Sequence, residues 1–96
     1  MPTHAEDARF LRQWARLTRT QQEQFKAAVA KFVADLHAGA IRPGLRVRGY
    51  QSEEGVFELT WAPDGRALFR YGESVHPGEP HIVWLRIGTH DILDEP

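Results

Sequence analysis

The first 40 residues carry apolar side chains at the spacing of amphipathic helices. Four of them recur every three or four positions: Phe10, Leu11, Trp14 and Leu17. This spacing predicts a helix over about residues 6–17. A second apolar stripe follows Thr20–Glu23, which has the Thr-x-x-Glu spacing of a capping box, and it ends at Gly39. It predicts a second helix over about residues 21–37, and the short connection predicts that the two helices form an antiparallel hairpin.

Beyond Pro43 and Gly44 the pattern changes to the alternation of apolar and polar positions that is typical of half-buried strands. It predicts four strands, over about residues 45–50, 56–61, 67–71 and 81–87. Residues 1–7 show no such alternation, so a short additional strand at the N-terminus stays open. The sequence therefore predicts an α+β fold, in which an N-terminal helical hairpin packs on a four-stranded, mainly antiparallel sheet.

One face of this sheet is expected to be covered by the helices and the other to be open. Seven residues are expected to project from the open face: Arg46, Arg48, Glu58, Thr60, Arg70, Trp84 and Arg86. Guanidinium groups suit bidentate contacts with phosphates, so an arginine-lined face with one aromatic ring suits RNA binding. Taken one at a time, Arg46, Arg48 and Glu58 are better explained as ordinary solvent-exposed charges than as catalytic residues.

Length and composition indicate one domain over residues 1–96, because 96 residues with 42% hydrophobic side chains are enough for a single core. The absence of cysteine excludes disulfides, thiolate nucleophiles and cysteine-type zinc sites, and it fits a reducing compartment. No apolar run approaches the roughly 20 residues that span a bilayer, and the first seven residues lack the features of a signal peptide. We expect a cytoplasmic protein that does not contact membranes.

The charge distribution narrows the kind of partner. The formal net charge is −1, so any contact with nucleic acid has to be local. From residue 41 onward all six cationic side chains are arginines, a composition that suits phosphate binding and that a GC-rich genome would also produce. The five histidines include no pair at the i, i+4 spacing of a helical zinc site, so neither a metal nor another cofactor is expected.

Three segments resemble the RelE/ParE superfamily of bacterial toxins. They are Gly55–Leu59, Arg66–Tyr71 and a closing motif that is the most specific of the three, Arg86-Ile87-Gly88-Thr89-His90-Asp91-Ile92-Leu93. The closing motif resembles that of the YafQ-like branch. The order of elements, a helical hairpin followed by antiparallel strands, is also similar to that of the superfamily, whose members usually begin with a strand.

The resemblance implies the toxin of a bacterial type II toxin–antitoxin system. In the YafQ-like branch this is a ribosome-dependent, metal-independent endoribonuclease, an mRNA interferase that inhibits translation. The resemblance matches Arg86 to the cation that stabilises phosphate charge, His90 to the proton carrier and Asp64 to the acidic residue of the hairpin turn. Cleavage by the 2′-hydroxyl of the RNA needs a base, an acid and a cation. RNA binding is expected of four open-face residues, Arg46, Arg48, Arg70 and Trp84.

Three departures from the branch bear on this activity. Thr60 stands where the branch has histidine, Gly65 where it has tryptophan and Asp94 where it has phenylalanine. Other functions therefore stay open. One is a non-enzymatic binder, either a poison of DNA gyrase of the ParE type or a protein that only blocks the ribosome, and another is an inactive binding protein with the toxin fold. The implied partners are a cognate antitoxin, for example a helix-turn-helix regulator in a hetero-oligomer with this chain, and the ribosome and mRNA if the chain is a nuclease.

Overall fold

The computed structural model describes residues 3–89, in which two helices lie on one face of a five-stranded sheet. The elements are β1 (Thr3–Glu6), α1 (Ala8–Arg16), α2 (Arg19–Ala38), β2 (Arg48–Gly49), β3 (Val56–Ala62), β4 (Gly65–Gly72) and β5 (His81–Thr89). The strand order is β1-β5-β4-β3-β2, with β1 parallel to β5 and all other neighbours antiparallel. The predicted α+β fold is confirmed.

The N-terminal strand that the sequence left open is present as β1. Its four residues pair in parallel with His81–Trp84, and the backbone N–H of Asp7 then donates to the carbonyl of Trp84 at 2.9 Å. Asp7 ends the strand and begins α1, because its carboxylate accepts a hydrogen bond from the backbone N–H of Arg9 at 2.8 Å. Both His4 and Glu6 are exposed at this sheet edge, which explains the lack of an apolar alternation.

Helix α2 begins two residues earlier than the sequence predicts. Thr18 accepts a hydrogen bond from the backbone N–H of Gln21 at 3.1 Å, and the Gln21 side chain accepts from the backbone N–H of Thr18 at 2.8 Å. The capping box is therefore formed by Thr18 and Gln21, and the prediction that it starts at Thr20 is wrong. The predicted end at Gly39 is confirmed: this residue has a φ of 88°.

The core between the helices and the sheet is dominated by aromatic side chains. The rings of Phe25 and Trp84 have centroids 5.1 Å apart, as do those of Phe32 and Phe69. Trp84 also contacts Phe10 and is only 4% exposed. The prediction that Trp84 projects from the open face is therefore wrong, and its ring is not available to stack on RNA.

A bulge in β5 accounts for this error. Leu68 pairs with Arg86 and the next residue, Phe69, pairs with Trp84, so Leu85 is an extra residue in β5. As a result Ile82, Trp84 and Ile87 all pack against the helices, whereas Leu85 packs on the opposite face. No single alternation along β5 describes both halves of the strand.

The strand predicted over residues 45–50 is much shorter in the structure. Pro43–Leu45 form a turn of 3-10 helix, and Arg46 has a left-handed backbone with a φ of 47°. Only Arg48 and Gly49 pair with β3. Arg46 therefore lies in a loop beside the sheet. The prediction that it projects from the open face is wrong.

Among residues 3–89 there is no helix with the length and apolar character needed to cross a membrane.

Candidate functional site

The open face of the sheet, opposite the helices, is organised by the register of its strands. Residues that pair directly across antiparallel strands project to the same face. One row of such pairs runs across four strands as Arg48, Glu58, Leu68 and Arg86. This row places two of the predicted cationic residues at its ends, on the face that the helices leave uncovered.

Glu58 is a buried carboxylate in this row. It is 4% exposed, and it accepts a hydrogen bond from Nε of Arg48, whose side chain is largely exposed. Beside it the open face carries a small apolar cluster, formed by Val56 and Leu68 with Tyr50 and Leu85 packed against them. The sequence predicted the face on which Glu58 lies, but alternation carries no information about burial or about the ion pair with Arg48.

Arg86 lies at the other end of the row and is half-buried. It pairs with Leu68, and the next strand beyond Leu68 carries Glu58. Two strand spacings separate the Cα atoms of Glu58 and Arg86 by about 10 Å. Leu68 lies between them and is buried, so the guanidinium on β5 and the carboxylate–guanidinium pair on β3 and β2 stand at two sides of a small apolar cluster.

Arg70 also lies on the open face, as predicted. It is exposed, and it pairs with Val56 on one side and Val83 on the other. This position is two residues from Leu68 along β4, or about 7 Å from the row that contains Arg86. Arg70 flanks that row on the side away from the β3–β4 turn.

Arg66 is an open-face cation that the sequence pattern did not predict. It pairs with Thr60 and with Gly88, so it flanks the row of Arg86 on the side of the turn. Its Nη1 donates to the carbonyls of Ala62 at 3.4 Å, of Pro63 at 3.3 Å and of Gly65 at 2.9 Å. Arg66 lies on the same face as Thr60 because the two residues pair across β3 and β4. The sequence gives no sign of this pairing until the strand register is known.

Asp64 is exposed in the turn between β3 and β4. It lies four residues from Leu68 along the chain, so its Cα is about 13 Å from the row that contains Arg86. Asp64 is two residues from Arg66 in the chain, and the register of β4 and β5 pairs Arg86 with Leu68 and not with the turn that carries Asp64. His90 and Asp94 lie outside the described residues, but Thr89, the last described residue of β5, pairs with Gly65 at this same turn.

Gly65 has a steric reason for being glycine. A Cβ atom at this position would lie 2.5 Å from ring atoms of Trp61, which is closer than van der Waals contact allows. Trp61 packs beneath the turn with its ring against Phe25, at a centroid distance of 6.3 Å. The departure of Gly65 from the branch pattern therefore follows from the presence of Trp61 in the core.

A groove with basic walls lies at the edge of β3, where β2 no longer covers it. Strand β2 pairs only with Phe57 and Glu58, so the remainder of β3 faces the loop around Arg46 and the C-terminal half of α2. The groove has a volume of about 690 Å³. Among residues 3–89 its lining includes no acidic residue and four cationic ones: Lys31, Arg42, Arg46 and Arg66. We call it the basic groove.

Arg42 is held at the wall of the basic groove by Asp35. The Nε and Nη2 atoms of Arg42 each donate to the Asp35 carboxylate at 2.8 Å, and its backbone N–H donates at 3.0 Å. These hydrogen bonds, the side-chain ones first, lower the pKa of Asp35 from 3.8 to about 2, and the same pairing raises the pKa of Arg42. Asp35 therefore neutralises the charge of Arg42, and the positive charge of the basic groove comes from Lys31, Arg46 and Arg66.

A second groove, of about 440 Å³, lies between the two helices and the β1–β5 edge, and its walls are mainly apolar. Lys26 lies at its rim, with Nζ 6.0 Å from the centre of the Trp14 ring. Lys26 and Lys31 are therefore exposed on the same helix but line different grooves.

Within residues 3–89 no group of three or more histidine, aspartate or glutamate side chains is arranged to hold a metal ion.

Comparison with known proteins finds similarity in structure. No protein-family model and no curated protein sequence matches this chain. A chain of the Escherichia coli DinJ–YafQ complex aligns with a TM-score of 0.66 and 13% identity, covering 97% of this chain and 98% of that one. YafQ from E. coli BL21(DE3) aligns with a TM-score of 0.61 and 12% identity, over 97% and 98% of the two chains.

A chain of the RelB–RelE antitoxin–toxin complex of Methanococcus jannaschii aligns with a TM-score of 0.62 and 7% identity, over 94% of each chain. The alignments cover nearly the whole length of this chain and of the solved ones. The fold is therefore the one found in YafQ and RelE, and the resemblance drawn from the sequence motifs is confirmed at the level of structure.

Proposed function

We propose that this protein is the toxin of a type II toxin–antitoxin system and that it cleaves mRNA on the ribosome without a metal ion. The fold it shares with YafQ and RelE supports the class of protein. The observation that carries the activity is the open-face row that ends at Arg86, since it places a half-buried guanidinium on the face that the helices leave uncovered, in one row with a carboxylate–guanidinium pair.

The proposed reaction uses the 2′-hydroxyl of the RNA as the nucleophile. A base removes its proton, the 2′-oxygen bonds to phosphorus, and the bond from phosphorus to the 5′-oxygen breaks while an acid protonates that oxygen. The products are a 2′,3′-cyclic phosphate and a 5′-hydroxyl. Arg86 stabilises the charge that develops on the phosphate oxygens. His90 carries one of the two protons, because histidine is the side chain suited to proton transfer near neutral pH.

Asp64 is proposed as the second group that carries a proton. It is exposed in the turn beside Gly65, and Gly65 pairs with Thr89, the residue that precedes His90 in the chain. The pairing of Gly65 with Thr89 supports the proposal that Asp64 and His90 share the two proton transfers. Glu58 is the competing carboxylate, because it lies in the same row as Arg86, but it is buried and bonded to Arg48.

The test is cleavage of a defined mRNA by the purified protein with and without ribosomes, mapped by primer extension. Arg86→Ala and His90→Ala are each expected to lower the cleavage rate by about 10²–10⁴-fold. Arg12→Ala, an exposed arginine on α1, is the control and should cleave as the parent does. Equal activity of the parent and of the first two variants would remove these residues from the mechanism.

The same assay separates the two carboxylates. Asp64→Asn is expected to slow cleavage, while Glu58→Gln keeps the shape of its side chain and should retain most of the activity. The reverse result would transfer the role to Glu58. If mRNA stays intact and DNA supercoiling by gyrase fails instead, the protein is a poison of the ParE type; if neither process is affected, it is an inactive protein with the toxin fold.

The proposed function includes a cognate antitoxin and a cytoplasmic location. Two of the similar chains were solved in complexes, DinJ–YafQ and RelB–RelE, and the second is an antitoxin–toxin complex. We expect a neighbouring reading frame to encode the antitoxin, for example a helix-turn-helix regulator. Its co-expression should restore the growth of cells that express this chain, and the two proteins should then elute together from a sizing column.

A further inference from the structure

We propose that the basic groove binds the phosphate backbone of the same RNA strand that is cleaved, at nucleotides beside the scissile bond. The ligand class rests on the proposed function, since a strand of RNA has to cross the open face. The groove would then hold a segment of that strand in place and contribute to affinity, without taking part in the chemical step.

The distribution of charge is the first argument. The chain as a whole has a formal net charge of −1, yet the groove brings together Lys31 from α2, Arg46 from the loop and Arg66 from β4. The part of its lining that the described residues provide contains no acidic side chain. Within residues 3–89 none of these three side chains forms an ion pair with a carboxylate. Such a local concentration of cations binds a polyanion electrostatically.

The second argument is that the walls of the groove are ordered before any ligand arrives. Arg42 is fixed by Asp35, and Arg66 is fixed by the carbonyls of the β3–β4 turn through Nη1 alone. The other donors of Arg66 make no hydrogen bond within residues 3–89. The backbone of Arg46 is held in a left-handed conformation at the end of the 3-10 turn, where its N–H donates to the carbonyl of Pro43 at 3.0 Å. Less side-chain entropy is lost on binding when the cations are already positioned.

The third argument is the continuity of the groove with the open face, which favours RNA over an acidic protein segment. Thr60 and Arg66 line the groove and also form the row next to that of Arg86. Neighbouring rows lie about 7 Å apart along the strands. A strand of RNA with a phosphate at Arg86 therefore reaches the groove within a short segment, whereas an acidic peptide has no reason to follow this path.

The experiment measures the binding of a fluorescein-labelled single-stranded RNA dodecamer to the full-length protein by anisotropy at several salt concentrations. The variant K31Q/R46Q removes two groove cations, and the matched control R12Q/K26Q removes two exposed cations from the helices. The groove variant is expected to bind at least about tenfold more weakly at 100 mM salt, and its plot of log K against log salt should be shallower by about 1.4. The control should match the parent.

Two further measurements distinguish a failure of this inference from a failure of the proposed function. K31Q alone changes an exposed residue of α2 and should lower the slope by about 0.7, so the inference does not depend on the folding of the double variant. In the cleavage assay K31Q/R46Q should raise KM and leave kcat at saturating RNA unchanged. The binding slopes are informative even if the protein cleaves nothing.

RNA binding by K31Q/R46Q with the affinity and slope of the parent would overturn the inference, and so would a loss of kcat with KM unchanged. A labelled poly-glutamate peptide of the same charge as the RNA serves as the second probe. If the groove cations are needed for the peptide and not for RNA, the groove is a site for an acidic protein segment and the proposal is wrong.

Discussion

At the scale of single residues, Asp35 shows how a charge can be kept inside a helix–loop junction. It lies on the face of α2 that also carries Phe32 and Leu36, and its carboxylate accepts three hydrogen bonds from Arg42. A buried carboxylate without such partners would be costly. The pair therefore joins the end of α2 to the loop that carries Arg46.

Replacing Asp35 with asparagine should destabilise the fold at neutral pH, because Arg42 loses its partner. The pKa of Asp35 falls from 3.8 to about 2 on folding. The stabilisation is thus complete above the unfolded value of 3.8 and is lost as the pH falls through about 2. Thermal unfolding followed by circular dichroism should give a lower Tm for Asp35→Asn at pH 7, and the difference from the parent should shrink as the pH falls from about 4 towards 2.

Glu23→Gln is the control for this experiment. Glu23 forms an exposed i, i+4 pair with Arg19 at 3.6 Å, and such pairs contribute little to stability. Its Tm should stay close to that of the parent across the same pH range. A difference between Asp35→Asn and the parent that does not change with pH would contradict the account of Asp35.

At the scale of elements, the two ends of α2 are determined by different chemistry. The C-terminal end depends on the left-handed backbone of Gly39, and glycine is the residue that adopts it most readily. The N-terminal end depends on which of two threonines accepts from the helix backbone. Thr18 and Thr20 each have a glutamine or glutamate three residues later, so the sequence alone does not distinguish them.

Thr18→Ala should therefore destabilise the protein by about 0.5–2 kcal/mol through the loss of the cap. Thr20→Ala should change the free energy of unfolding by less than about 0.5 kcal/mol, because Thr20 is exposed within the first turn. Urea unfolding of both variants measures the difference. A larger effect at Thr20 than at Thr18 would contradict the observed capping box.

Most of the helices and strands could be predicted from the sequence, but β2 and the bulge in β5 could not. The two helices and strands β3, β4 and β5 follow from apolar periodicity, because each is long enough to show its period. The strand predicted at 45–50 is mostly absent, since Pro43–Leu45 form a tight turn and the left-handed Arg46 interrupts the alternation. The bulge at Leu85 is likewise invisible in the sequence, and it decides which face Trp84 occupies.

For the candidate site, the sequence predicted the face of Arg48, Arg70 and Arg86, but it did not predict Arg66 and it misplaced Arg46. Arg48 and Arg70 lie on the predicted face, yet the ion pair between Arg48 and Glu58 and the contact of Arg66 with the turn depend on cross-strand register. The basic groove brings together residues from α2, a loop and β4. Contacts between elements so distant in the chain have no local signal.

At the scale of the whole molecule, a single aromatic core connects the helices to the sheet. Trp84 of β5 contacts Phe10 of α1 and Phe32 of α2, and Trp61 of β3 contacts Phe25. No described helix has a core of its own within residues 3–89. The helices and the sheet are therefore expected to unfold together.

Urea unfolding should accordingly be one cooperative transition. Tryptophan fluorescence reports on the core and far-ultraviolet circular dichroism reports on the helices, and both should give the same midpoint and the same m-value. Two separate midpoints, with the helices outlasting the fluorescence change, would show that the core does not couple the two layers.

The pairing of β1 with β5 has a consequence for the order in which the protein can be built. The first strand described in the chain finds its partner only in the last one, and contacts between segments so far apart in sequence form late and slowly. A growing chain acquires both helices, their caps and the β3–β4 hairpin before it has the strand that supplies Trp84 and Arg86. The arginine-bearing face is thus incomplete throughout most of synthesis, and the candidate site is assembled last.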